Sequence, residues 1–272
     1  MKNDALRQFF IIGGQKTGAT LLARLLDSQA NISCIWESYA LNPLHDTSIL
    51  NLQSHNRVRH GFDYAFVSEL RGYWKLREVD YFGNIQHRYS AFGETMGPLL
   101  ADFAMRNDSF IVGDKWPWYI RHLDALATSF PEAKLVHLVR DPRAIWNSAQ
   151  RFLARERGDV VLWEILDLER RLDNYPMDAE KLIRVKYEDL IRDPILTVFH
   201  IMEFLGCSST DGEIASSLDS NITDERWSWV PEANQPITSF HGDKWKTQMT
   251  VAQIDSVTNI SRSFLEKYNY EY

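Results

Sequence analysis

Residues 8–28 read QFFIIGGQKTGATLLARLLDS. The run from Phe9 to Ile12 is continuously apolar and closed by two glycines, as expected of a strand buried on both faces. Beyond the turn, Leu21, Leu22, Leu25 and Leu26 recur at helical spacing and share one face. Closely spaced glycines in such a strand–turn–helix unit let backbone N–H groups approach an anion, and the helix N-terminus adds a partial positive charge. A plain structural connection would account for the glycines alone. Lys16 within the turn, beside Thr17 and Thr20, shifts the balance towards a phosphate-class ligand. The loop of nucleoside triphosphatases ends in Gly-Lys-Ser/Thr. Here Gly18 is followed by Ala19 and the lysine comes two residues earlier, so a nucleoside triphosphate with magnesium is disfavoured.

The same alternation recurs outward from this unit. NISCIW (31–36), SFIVGDK (109–115), AKLVHLVR (133–140) and KLIRVKYEDL (181–190) read as further strands. Helices are predicted over 118–130, ended by Pro131; over 142–156, opened by Pro142; and over 194–206, opened by Pro194 and stopped by Gly206. Strand–helix alternation of this kind predicts an α/β fold with a central parallel sheet flanked by helices. Residues 40–108, rich in aromatics, and the polar, loop-like residues 207–250 interrupt it. The chain is therefore read as a single domain over 1–272 with two insertions, placed near a sheet edge where open α/β folds bind ligands.

Composition sets the outer limits. The 272 residues are 44% apolar and 25% charged, the balance of an ordinary globular protein. Charge comes to 30 − 37 = −7, which argues against a general nucleic-acid partner while leaving room for a local basic pocket. Cys34 and Cys207 lie too far apart in sequence for a four-ligand zinc site and read as small core residues of a reducing compartment. The run FFII is too short for a signal-peptide core, and no stretch approaches the roughly 20 apolar residues of a membrane span. A cytoplasmic address is expected, with the N-x-S/T patterns at Asn31, Asn107, Asn221 and Asn259 read as coincidental.

Four segments together resemble the sulfotransferases that use 3′-phosphoadenosine 5′-phosphosulfate (PAPS). GGQKTGATLLARLL is similar to their phosphosulfate loop, KxGxT or KxGTT. The resemblance implies a P-loop-like sulfotransferase fold of the bacterial type. It places Lys16 at the family's catalytic lysine, and Gly14, Gln15, Thr17, Gly18, Ala19 and Thr20 around the donor's phosphosulfate. Ala19 departs from the common Thr or Ser, removing one hydroxyl contact. LVRDPRAIWNSAQRF is similar to the segment that holds the 3′-phosphate, with Arg140 at a strand end and Ser148 eight residues on. Arg offers a fork to phosphate oxygens and Ser a further donor; the competing role for Arg140 is an ion pair with Asp141 or Glu169. VKYEDLIRDP resembles the segment whose tyrosine lies near adenine, which gives Tyr187 that role or a core one. FHGDKWKTQMT resembles a late loop that closes over the nucleotide, with Lys244, Trp245 and Lys246 as its candidates.

The expected reaction is sulfuryl transfer from PAPS to a hydroxyl or amine of a small-molecule or carbohydrate acceptor. The nucleotide product is 3′-phosphoadenosine 5′-phosphate (PAP), and no metal, nucleic acid or membrane partner is expected. A hydroxyl acceptor needs a base. Several sulfotransferases place a catalytic glutamate just after the second strand, where this chain has Glu37 in CIWESY. Asp114, next to Lys115, matches the position of a glutamate in heparan-type enzymes and is the second candidate; His241 in FHGDKW is the third. The aryl and steroid enzymes carry a histidine two residues after their equivalent lysine, and this chain has Pro117 there. His122 and His137 read as structural. The aromatics from Phe62 to Phe92 read mostly as a packed helical lid, and the arginines between Arg57 and Arg88 as solvated faces. The alternatives are a P-loop nucleotide kinase or NTPase, and a non-catalytic PAPS-binding protein, hinted at only by Ala19.

Overall fold

In the computed structural model, which describes residues 6–36, 85–152, 157–220, 237 and 240–272, five parallel strands form one sheet. In chain order the elements are β1 (Arg7–Ile12), α1 (Ala19–Asp27), β2 (Ile32–Trp36), α2 (Ile85–Arg106), β3 (Ile111–Lys115), a 3₁₀ turn (Tyr119–Arg121), α3 (Leu123–Ser129) and β4 (Lys134–Val139). They continue with α4 (Pro142–Phe152), α5 (Arg157–Asp173), a second 3₁₀ turn (Ala179–Lys181), β5 (Leu182–Lys186), α6 (Tyr187–Arg192) and α7 (Pro194–Leu205). The last helices are α8 (Asp211–Ser220), α9 (Phe240–Gln248), α10 (Val251–Ile260) and α11 (Arg262–Lys267).

The apolar run of β1 explains why this strand is central. Side chains alternate across a sheet, so Phe9 and Ile11 enter one core cluster with Leu22, Ala23 and Leu26 of α1 and with Val198, Ile201 and Met202 of α7. Phe10 and Ile12 enter the opposite cluster with Phe92, Met96 and Leu100 of α2, Leu126 of α3, and Leu168 and Leu172 of α5. These four β1 side chains are fully buried. At ~1.5–3 kcal/mol for each large apolar side chain, this burial anchors both faces.

The strand order is β2-β3-β1-β4-β5. From β1 the chain moves to the β2 side, and after β3 it crosses to the β4 side. The sheet therefore has its switch point between β1 and β4, outside whose C-terminal ends open α/β sheets form their ligand crevice. The loop at 13–18 leaves β1 on one lip of that crevice and Arg140 follows β4 on the other.

The expected α/β class and all five strands are present, with several corrections. The helix read over 118–130 is split at His122, a residue with φ −128° and ψ 37°, into the 3₁₀ turn and α3. The strand read over 181–190 ends at Lys186. Tyr187 opens α6, whose first turn carries Glu188 and Asp189, charges that suit a helix N-terminus. The 40–108 stretch includes a helix among its described residues. Its C-terminal part is α2, which packs on β2 and β3 and provides the crossover that a parallel pair requires. The 207–250 stretch, read as loop-like, carries α8 and α9. The α4 helix ends at Phe152, and residues 153–156 of the predicted span lie outside the described residues. Among the described residues no helix is long and apolar enough to cross a membrane.

Candidate active site

The loop at 13–18 takes its shape from three residues at positive φ: Gly13 at 140°, Lys16 at 63° and Gly18 at 96°. A Cβ on Gly13 would lie 2.8 Å from the Leu138 carbonyl oxygen, so the loop starts tight against β4. Lys16 tolerates a left-handed conformation that costs a non-glycine residue about 1 kcal/mol. The buried Thr17 hydroxyl donates to the Gly14 carbonyl at 2.9 Å and closes the turn. Gly18 is the N-cap of α1 and gives it no side-chain cap, so the first N–H groups of α1 are not claimed by that residue. Gln15, Lys16 and Thr20 remain half-buried around this end, whereas Ala19 is buried.

Arg140 joins the two lips of the crevice. Its Nη1 donates to the Lys16 carbonyl at 2.9 Å, 124 residues away in sequence. Its guanidinium lies 4.2 Å from the centre of the Tyr187 ring. The two carboxylates weighed as partners for Arg140 are held by others: Asp141 by Arg143 at 2.7 Å, and Glu169 by Lys267 at 2.6 Å. Tyr187 in turn sits directly over Gly18, where a Cβ would approach its ring to 2.3 Å. Three of the segments singled out in the sequence thus meet around one crevice, bringing together Lys16, Gly18, Arg140 and Tyr187. Ser148 lies two turns into α4 and is half-buried.

The 240–248 segment is a helix rather than a closing loop. Trp245 is buried with Ala144, Trp146, Leu162, Met249 and Val257, and the Arg143 guanidinium lies 4.1 Å from the centre of its ring. Its ring is therefore a packing element of the α4–α9 contact. Lys246 is exposed and pairs with Asp243 at 2.7 Å, while Lys244 is half-buried. Asn147 of α4 donates to Gln248 of α9 at 2.8 Å and fixes the same contact. His241 belongs to α9, and its side chain lies outside the described residues, as does Glu37 altogether.

Asp114 is fully buried in β3, where its Oδ2 accepts from the Tyr119 hydroxyl at 2.5 Å. Lys115 is also buried and sits at the end of the strand beside Ile11 and Trp36. His122 stacks on Trp116 with centroids 5.9 Å apart, and His137 is buried in β4, so both hold structural places. Phe92 is a core residue of the α2 face; the other aromatics of the 62–92 group, and Arg57, Arg59, Arg71, Arg77 and Arg88, lie where side chains are not described. Among the described residues no group of three His, Cys, Asp or Glu could hold a metal ion.

Sequence reading missed a set of supports beneath this site. Asp141 caps α4 by accepting from the Arg143 backbone N–H at 2.8 Å, and chelates the Arg143 side chain. The order Asp-Pro before a helical pattern was the signal for that cap. Glu188 accepts from the Asp141 N–H at 3.1 Å and from the Tyr270 hydroxyl at 2.7 Å. No local pattern announces a contact across 82 residues.

The Sulfotransferase family model matches residues 8–211, and a Sulfotransferase domain model matches residues 169–269. The omega-hydroxy-beta-dihydromenaquinone-9 sulfotransferase Stf3 of Mycobacterium tuberculosis is 26% identical over 175 residues, covering 58% of this chain and 40% of that protein. The chain thus spans about two fifths of the length of the curated relatives it matches. The sulfotransferase domain of the Synechococcus PCC 7002 olefin synthase superposes with a TM-score of 0.69 at 21% identity, over 100% of this chain and 98% of that one. The sulfotransferase STF9 of Mycobacterium avium gives 0.56 at 15% identity, over 98% and 78%. At such identities these structures speak to the fold, while the family match covers most of the chain and includes the loop, Arg140 and Tyr187. The chain belongs to the sulfotransferase family.

Proposed function

We propose that the chain transfers a sulfuryl group from PAPS to a hydroxyl or amine of a small-molecule or carbohydrate acceptor. The observation that carries this reading is the junction of Arg140 with the Lys16 carbonyl and the Tyr187 ring at the β1–β4 switch point. It sets a guanidinium beside the phosphate loop and an aromatic face beside both, which suits a nucleotide bearing a second phosphate. The narrow loop, with its glycines pressed on Leu138 and Tyr187, fits a phosphosulfate approached by backbone N–H groups. Family membership disfavours the nucleotide kinase alternative and a purely binding role.

PAPS supplies the sulfuryl group and leaves as PAP. The residues around it position and stabilise charge, as in other phosphoryl-like transfers. Gly14, Gln15, Thr17, Gly18, Ala19 and Thr20 surround the phosphosulfate, and the Lys16 ammonium neutralises charge on the oxygen that is released. Arg140 and Ser148 hold the 3′-phosphate and select PAPS over ordinary adenine nucleotides. Tyr187 borders the adenine. Lys244 and Lys246 are the candidate cations of α9, beside Trp245, whose ring packs in the core. Glu37 takes the acceptor proton as the acceptor oxygen bonds to sulfur, and Asp114 and His241 are the second and third candidates. The name of the Mycobacterium relative describes an ω-hydroxy substrate, which supports a hydroxyl acceptor. No metal is needed in this reading, and a cytoplasmic location suits it.

The test is a thermal-shift comparison of PAP, ADP and AMP. A ligand that binds the folded state adds stability as RT ln(1 + [L]/Kd), so PAP should stabilise the protein most. Arg140→Ala should erase that preference while leaving a folded chain. Equal shifts with PAP and ADP in the wild type would refute the assignment. An acceptor screen with labelled PAPS, read by mass spectrometry, then identifies the substrate class.

A further inference from the structure

The residues that form the nucleotide half of the crevice are held in place by one carboxylate and by the C-terminal segment. Glu188, half-buried at the start of α6, accepts from the Asp141 backbone N–H at 3.1 Å through Oε1 and from the Tyr270 hydroxyl at 2.7 Å through Oε2. It is the residue after Tyr187, and Asp141 is the residue after Arg140. The Glu188–Asp141 bond therefore ties together the backbones that carry the stacked Arg140–Tyr187 pair. On the other side of the turn, Arg143 chelates Asp141 and donates through Nη2 to the Glu271 carbonyl at 2.6 Å. The Tyr270 ring is further held by Lys186, whose Nζ lies 4.5 Å from the ring centre. Glu271 thus holds the 140–143 turn directly, and Tyr270 holds it through Glu188.

We infer that Glu188 and Tyr270 are positioning residues for 3′-phosphate recognition, acting through the Arg140–Tyr187 pair. This inference rests on the nucleotide reading proposed above. A freely rotating Arg140 would lose conformational entropy on binding phosphate. Held by the Lys16 carbonyl, the Tyr187 ring and a turn locked at Asp141, it loses less, so the lock shows as affinity. Neither Glu188 nor Tyr270 needs to touch the nucleotide. Burial pushes the Glu188 carboxyl above the usual range, while the bonds from Tyr270 and Asp141 oppose that shift. Removing the Tyr270 hydroxyl therefore takes away a donor from a carboxylate short of water.

The experiment is calorimetric binding of PAP and ADP, well below the melting transition, to the wild type, Tyr270→Phe, Glu188→Gln and Tyr272→Phe. Tyr270→Phe keeps the ring beside Lys186 and removes only the hydroxyl. Tyr272→Phe removes a hydroxyl of the same segment, bonded to the exposed Glu266, and serves as control. The expected result is a roughly tenfold weaker PAP affinity in Tyr270→Phe and Glu188→Gln, the scale of one hydrogen bond to a charged group. ADP affinity should change much less and the control should match the wild type. Lower melting temperatures with an unchanged PAP-to-ADP ratio in both variants would overturn the inference and leave the nucleotide reading standing. A wild type without preference for PAP would overturn both.

Discussion

The Tyr187 ring fills the space that a side chain on Gly18 would need, with a Cβ there only 2.3 Å from Tyr187 Cδ2. Gly18 also holds φ at 96°, which L-residues rarely adopt. The end of the 13–18 loop and the start of α6 are therefore fitted to each other. Gly18→Ala should meet both penalties, about 1–2 kcal/mol from the left-handed backbone alone and more from displacement of Tyr187. The expected outcome is a lower urea midpoint together with weakened PAP binding. Wild-type values for both would mean that Tyr187 is not seated on the loop.

Lys16 is assigned a charge that matters most as the sulfur–oxygen bond breaks. Lys16→Ala should therefore lower kcat more than it weakens PAP binding. Loss of one transition-state donor costs on the order of 100- to 1000-fold in rate. The backbone at Lys16 also accepts from Arg140, and the substitution keeps that carbonyl, so the 3′-phosphate side should be little disturbed. Near-normal turnover at saturating PAPS would remove Lys16 from the mechanism.

The parts of this site legible in the sequence are those with short-range signatures. The glycines and Lys16 announce the loop, and the run FFII announces a doubly buried strand. Leu135, Val136, Leu138 and Val139 do the same for β4. What sequence could not supply is the set of long-range contacts that aim the loop. Tyr270 reaches Glu188 across 82 residues and Arg140 reaches Lys16 across 124, and such pairs leave no periodic trace. The misread segments have local causes. After β5 the apolar pattern runs on through Tyr187 and Leu190, but Glu188 and Asp189 favour a helical first turn. The segment FHGDKWKTQMT resembles a closing loop, with Trp245 between two lysines. The burial of Trp245 against Trp146 and Leu162 is a tertiary fact that lysine neighbours conceal.

The base assignment turns on two carboxylates, Glu37 and Asp114. Asp114 is fully buried and accepts from Tyr119 at 2.5 Å, so it has the setting of a structural group. Asp114→Asn should cost about 1–3 kcal/mol, the penalty for disturbing a buried hydrogen-bonded polar group, and reduce the rate only modestly. Glu37→Gln should leave stability and PAP affinity nearly intact and reduce turnover roughly 100-fold or more, the usual contribution of a general base. Urea unfolding and steady-state rates on both variants decide the question. An inactive but stable Asp114→Asn beside an active Glu37→Gln would transfer the role to Asp114.

The acid limb of stability should report His137. Its Nε2 lies 3.4 Å from Glu169 Oε2, a geometry that by itself would favour the imidazolium. Glu169, however, already accepts from Lys267 and Tyr268. Burial is the largest influence on His137, and together with the charges of Arg184 and Lys267 it outweighs Glu169 and Asp173. The pKa is lowered from 6.5 to about 4. Its Nδ1 has no hydrogen-bond partner among the described residues, and the ring lines a cavity of about 10 Å³ behind Gly14, Thr17 and Arg140. With a lowered pKa the folded state holds the neutral ring, and the unfolded chain binds the proton first. His137 therefore contributes its full share of stability above pH 6.5. That share is lost as pH falls from 6.5 to about 4, and the loss levels off below that. The total is on the order of 3 kcal/mol. His137→Gln keeps a donor towards Glu169 but cannot titrate, so the difference between its unfolding free energy and that of the wild type should slope through this window and be flat above it. Should the wild type instead gain stability relative to the variant on acidification through pH 6.5, His137 and Glu169 form an ion pair and the buried neutral ring is refuted.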